Sequence, residues 1–89
     1  MKFTKGELNL ANTYHLDLSK KDEPRTFAEA TNPFSGAVVK LNALEATLYT
    51  EIMAEYASIN CGSGSVRLYD RLKYLFLKLN ATAYMDLID

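Results

Sequence analysis

Cysteine, histidine and tryptophan are scarce or missing in this chain, and each shortage removes a class of protein. Among 89 residues there is one cysteine, Cys61, one histidine, His15, and no tryptophan. A single cysteine cannot form an internal disulfide, so a secreted scaffold stapled by such bridges is excluded and a reducing cytoplasm is the natural setting. One His and one Cys cannot make a conventional structural zinc site without carboxylates. No apolar run approaches the roughly 20 residues of a membrane span. The opening MKFTKGELNLANTY has a lysine but no apolar stretch behind it, so no signal peptide and no membrane association are expected. Charge of one sign is lacking too. Ten basic residues face eleven acidic ones, a formal net charge of -1, which is neither a basic nucleic-acid footprint nor an acidic DNA mimic.

What is present suits a small globular domain. The apolar fraction is 48%, typical of folded proteins, and the length allows one domain, 1–89. A domain this small buries only about 60% of its unfolded surface, so either its core is efficient or a second subunit completes it. The stretch Leu41–Ile59 organises the chain. Leu44, Leu48, Ile52, Tyr56 and Ile59 fall on one face of a 3.6-residue period, predicting a helix over 42–59. Asn42 is its expected N-cap, with Glu45 reaching back to the cap's own amide. A second helix over 65–79, capped by Ser63 or Ser65, buries Leu68, Leu72, Leu75, Phe76 and Leu79. The short connection Cys61–Ser65 makes the two helices antiparallel neighbours. Glu45, Glu51 and Glu55 on the first should face the bases of the second. Asn80 is expected to cap a short third helix over 81–88.

The N-terminal part reads as mostly extended. Gly6, Asn9 and Asn12 break any clean period in Met1–Asn12. In Thr13–Leu18, Tyr14, Leu16 and Leu18 alternate with His15 and Asp17, as in a half-buried strand. Residues 19–25 form a polar, protease-sensitive loop. Thr26–Thr31 fits either a helical turn or an extended segment. Asn32-Pro33-Phe34-Ser35-Gly36 is a structured turn, and Ala37–Leu41 is a short extended run that could pair with Thr13–Leu18. The fold class expected is mainly α, with α+β the open alternative. It is an antiparallel helical hairpin with a short C-terminal helix, packed by an N-terminal extended segment or small β-hairpin.

Few residues suggest chemistry. General acid–base work by His15 needs a positioned partner, and only Asp17 is near in sequence. Cys61 would need a lowered pKa to act as a nucleophile; the plainer reading is a partly buried small residue at a helix end. Gly62-Ser63-Gly64-Ser65 lacks the lysine of a P-loop and reads as a connection with a serine cap. No enzyme activity, metal or cofactor is expected. Arg67, Arg71 and Lys78 on the second helix are the candidate phosphate contacts, too few to favour nucleic acid over protein. The six tyrosines are more than a small core hides. Tyr49, Met53, Tyr74 and Leu77 lie outside the main stripes and are the candidate protein-interaction residues, against the plainer reading that they widen a core seam.

Asn32-Pro33-Phe34-Ser35-Gly36, followed by Val39 and Leu41, resembles an Asn-Pro-x-Ser/Thr-Gly opening found in small uncharacterised accessory proteins of tailed bacteriophages. The ending Leu79–Asp89 resembles their Asn-x-x-Ala-Tyr-Met-x-Leu-Leu-Asp tail, with Asp86 and Ile88 as departures. The resemblance covers about the last two-thirds of the chain and brings no chemistry. It implies a phage accessory protein made in the host cytoplasm and acting on a bacterial host protein. The expected function is therefore a non-enzymatic protein-interaction module. The alternatives are a small nucleic-acid-binding protein, and a structural or assembly protein acting as a homo-oligomer, most simply a homodimer.

Overall fold

Local hydrogen bonds at the helix starts set most of the architecture. In the computed structural model, which describes residues 2–88, the elements in order are α1 (Lys5–Thr13), a 3₁₀ turn (Leu18–Lys20), β1 (Ala28–Thr31), β2 (Val38–Leu41), α2 (Ala43–Asn60), α3 (Val66–Leu79) and α4 (Ala81–Leu87). Met1 and Asp89, the outer ends of the expected domain and, for Asp89, of the tail motif, lie outside the described residues. The fold is mainly α with one small antiparallel sheet, as expected.

Asn42 Oδ1 accepts from Glu45 N at 2.9 Å, and Glu45 Oε1 accepts from Asn42 N at 3.1 Å. This reciprocal cap starts α2. Ser65 Oγ caps α3 and Asn80 Oδ1 caps α4. α2 and α3 fold back on one another as a helical hairpin. Two aromatic contacts fix the antiparallel register: Tyr49 meets Phe76 at 6.0 Å and, two turns on, Tyr56 meets Tyr69 at 5.8 Å. Leu48, Ile52, Leu72, Leu75 and Phe76 are fully buried between them, and α4 closes over this core with Ala83 and Leu87.

Three N-terminal expectations are corrected. The first residues are a helix, not an extended segment. Thr4 Oγ1 accepts from Glu7 N and Glu7 Oε1 accepts from Thr4 N, so a capping box overrides Gly6 and Asn9, while Leu10 and Ala11 dock in the core. Thr13–Leu18 is not a strand. Leu16 is buried and His15 and Asp17 are exposed, so the in–out alternation holds, but the backbone is a helix exit. His15 sits at φ 57, with His15 N donating to Asn12 O and Leu16 N to Ala11 O, the Schellman arrangement. The partner of β2 is therefore β1, with Ala28 opposite Leu41 and Thr31 opposite Val38. The six-residue loop 32–37 closes this hairpin at an entropic cost about 1 kcal/mol lower than a pairing with Thr13–Leu18 would carry.

The polar loop is pinned rather than free. Asn42 Nδ2 donates to Lys21 O and Glu23 O, and Arg25 Nε donates to both carboxylate oxygens of the buried Glu45, at 3.1 and 2.9 Å. The loop 19–25 is exposed at every residue but Lys21, and these ties hold it at Lys21, Glu23 and Arg25. The expected charge pairing of α2 with α3 is also absent: among the described residues no ion pair joins them. Glu45 is taken by Arg25, Lys78 by Glu7 of α1, and Lys73 by Asp70 of its own helix. The apolar stripe of α2 leaves the core early. Tyr56 is 48% exposed and Ile59 half-buried, because the turn end of the hairpin, residues 60–67, lies wholly at the surface.

A candidate protein-interaction cleft

The Asn-Pro-Phe-Ser-Gly turn is a rigid object, and each residue but one has a structural task. Asn32 Oδ1 accepts from Phe34 N at 2.8 Å and Ser35 N at 3.2 Å, and Asn32 O accepts from Gly36 N at 2.9 Å. Pro33 pre-sets the turn's first central residue. Ser35 Oγ accepts from Ala37 N, and Gly36 takes φ 77, where a side chain would be strained. Asn32 Nδ2 donates to Asp86 O at 2.9 Å. The turn is thereby tied to the last turn of α4. Phe34 alone has no packing role: its side chain is 96% exposed at the tip.

Beside this turn lies a cleft of about 570 Å³ whose walls come from the turn, α2, α3 and the end of α4. Tyr49, Met53 and Tyr56 of α2, Tyr69 of α3, and Leu87 with Ile88 at the end of α4 line it. Tyr69 is held by the cation of Lys73, whose Nζ lies 4.4 Å from the ring centre. Burial, and secondarily Tyr69, pushes the Tyr49 phenol above its ordinary pKa. Every lining residue of the cleft is uncharged.

The four residues singled out from the sequence do not form one patch. Tyr49 and Met53 share this cleft and also pack on the core. Tyr74, exposed, and Leu77, half-buried, line a separate 200 Å³ groove with Lys78. Their division follows from the roll of α3, which turns Tyr69 toward α2 and Tyr74 toward α1. Phe34, Tyr56 and Tyr69 are the additions from the structure. The signal for Phe34 was in the sequence, an aromatic in a turn with nothing local to cover it. Tyr56 was misplaced into the core by periodicity alone.

The basic candidates are weakened as a set. Lys78 Nζ bonds Glu7 Oε1 at 2.8 Å and is 26% exposed. Burial raises the Glu7 carboxyl, but the hydrogen bond from Lys78, the Thr4 amide and the Lys78 charge outweigh it and hold its pKa below the usual range. Arg67 and Arg71 are exposed; Arg71 lies with Tyr74 along a 460 Å³ cleft that also contains Glu7 and Asp70. Acidic groups at that cleft oppose a phosphate backbone. His15 ends α1, and Cys61, exposed rather than partly buried, ends α2. Among the described residues no group of three His, Cys, Asp or Glu is placed to hold a metal, and no helix is long and apolar enough to cross a membrane. Comparison with family models, with curated proteins and with solved structures gave no match.

Proposed function

We propose that this chain is a non-enzymatic protein-interaction module, with Phe34 and the adjoining aromatic cleft as its binding surface. The observation that carries the reading is Phe34 itself, an aromatic side chain 96% exposed on a turn held by five hydrogen bonds of Asn32. An aromatic on a hydrogen-bonded turn needs no backbone ordering when it docks and gives up only two side-chain torsions, which suits it to act as a binding anchor. Tyr and Met walls without charge are likewise characteristic of an interface centre. The resemblance to phage accessory proteins supports a setting in the cytoplasm of an infected bacterium, with a host protein among the candidate partners.

Affinity capture from bacterial lysate tests the surface when wild type is run beside Phe34→Ala and Tyr56→Ala, both at exposed positions. The expected result is a reproducible set of partners retained by wild type and lost by both variants, with their circular dichroism unchanged. Identical capture by all three proteins would place binding elsewhere on the molecule. The nucleic-acid reading has less support, because Lys78 is committed to Glu7 and carboxylates share the cleft of Arg71.

A further inference from the structure

We infer that the face where α1 meets α3 is a second interaction surface, and that its partner is an acidic, amphipathic segment of another protein. This face and the cleft beside Phe34 have no lining residue in common.

The first observation is charge segregation, which the net charge of -1 hides. Residues 2–7 and α3 hold six of the ten bases and only two of the eleven acids. The fold sets these two stretches side by side. Glu7 Oε1 lies 2.8 Å from Lys78 Nζ, the centre of the Phe3 ring lies 5.3 Å from the same nitrogen, and a Cβ on Gly6 would lie 3.5 Å from the Arg71 guanidinium. A patch of one sign on a nearly neutral chain attracts a partner of the other sign.

The second is spacing. Arg67, Arg71, Tyr74 and Lys78 follow at intervals of four, three and four, which is one face of a helix. Arg67, Arg71 and Tyr74 are exposed. Among the described residues neither arginine has an ion-pair partner, whereas Lys78 already holds a carboxylate, that of Glu7.

The third is shape. The 460 Å³ cleft between α1 and α3 and the 200 Å³ groove beyond it share Tyr74. Leu10, Tyr74 and Leu77 give them apolar surface beside the charges. A groove between two helices takes the apolar side of a third, with that helix's acids at the rim.

Glu7 and Asp70 favour a peptide over a nucleic acid. They stand among the bases as fixed negative charges, and the Asp70 side chain is 62% exposed. A phosphate backbone cannot skip them, because its charge recurs at every nucleotide. A peptide can set carboxylates against Arg67 and Arg71 and uncharged residues opposite Glu7 and Asp70.

The test is fluorescence anisotropy with the full chain and a labelled, end-blocked helical peptide of about twelve residues, the length that spans Arg67 to Lys78 along a helix. The peptide carries leucines on one side and a pair of glutamates one turn apart at their edge. It should bind saturably at low salt and more weakly at physiological salt, where the screening length falls to about 8 Å. The peptide with glutamine for glutamate should bind at least about tenfold more weakly. So should the original peptide to the protein carrying Arg67→Glu and Arg71→Glu, with circular dichroism unchanged. Serine in place of the leucines should weaken binding by a similar factor. Phe34→Ala should bind the peptide like wild type whatever its fate in lysate capture, which keeps the two surfaces distinguishable. Absence of saturable binding at low salt overturns the inference, as does a charge reversal that leaves affinity unchanged. Equal binding of the serine peptide reduces the face to bulk charge and overturns the amphipathic partner. A single-stranded oligonucleotide that binds more tightly than the peptide through the same arginines makes nucleic acid the occupant and overturns the protein partner.

Discussion

His15 and Gly62 do the same job with different chemistry. Both occupy the left-handed residue after a helix, at φ 57 and φ 83, and both are followed by an amide that closes a Schellman motif, Leu16 N to Ala11 O and Ser63 N to Ser58 O. Glycine takes this conformation freely, whereas a residue with a Cβ is strained by about 1–2 kcal/mol. His15→Gly should therefore stabilise the protein by about 1 kcal/mol, read as a higher denaturation midpoint. No change would mean that the imidazole supplies a compensating contact. Glu7 offers a second test at this scale. Its folded pKa is depressed, so its contribution is complete above the unfolded value of about 4.3 and is lost as pH falls through the folded value. The difference in melting temperature between wild type and Glu7→Gln should be full at neutral pH and shrink on acidification below about 4.3. A difference independent of pH would assign Glu7 a purely geometric role in the cap.

Each element is held by a few contacts whose removal has a defined consequence. At the core of α2, Leu48 is completely buried, and Leu48→Ala should cost about 2–5 kcal/mol, measured by chemical denaturation. Equal midpoints would show that the cavity collapses. At the turn of the hairpin, a Cβ on Gly64 would lie 2.6 Å from Ile59 N and 2.8 Å from a Glu55 carboxylate oxygen. The same carboxylate oxygen accepts from Ser65 N, so neither wall can recede without breaking the entry to α3. Gly64→Ala should destabilise by about 1–3 kcal/mol, although the position lies on the surface. A neutral outcome would mean that the turn shifts as a unit. The polar loop and α2 are joined in the same local manner, by Arg25 across the carboxylate of Glu45.

At the scale of the whole molecule the hairpin of α2 and α3 is the frame, and α1 is an attachment. The frame holds the fully buried Leu48, Ile52, Leu72, Leu75 and Phe76, whereas α1 contributes Leu10 and Ala11 and the single ion pair of Glu7 with Lys78. Fewer buried apolar groups mean a lower opening free energy. Native-state hydrogen exchange should show α1 amides opening well below the global unfolding free energy and the centres of α2 and α3 near it. Equal protection in all three would make the chain one cooperative unit. The cleft lies on the frame and on the turn tied to α4, so its walls should survive the opening of α1.

The sequence by itself determined the parts in which cause and effect are neighbours along the chain. Asn42 with Glu45, Ser65 and Asn80 mark helix starts because a cap bonds an amide three residues on. The period of Leu44, Leu48 and Ile52 marks a buried face because a helix repeats every 3.6 residues. Thr4 with Glu7 carried the same message for α1, outweighed on reading by Gly6 and the asparagines and supplied in the molecule by docking of Leu10. Tertiary structure alone decided the rest. Periodicity gives a helix a face but not where that face ends, so only packing shows the α2 stripe leaving the core at Tyr56. The roll of α3 sent Tyr69 and Tyr74 to different clefts. The Asn32–Asp86 bond, which spans 54 residues, set Phe34 beside the cleft, because the positions of two distant segments depend on every element packed between them.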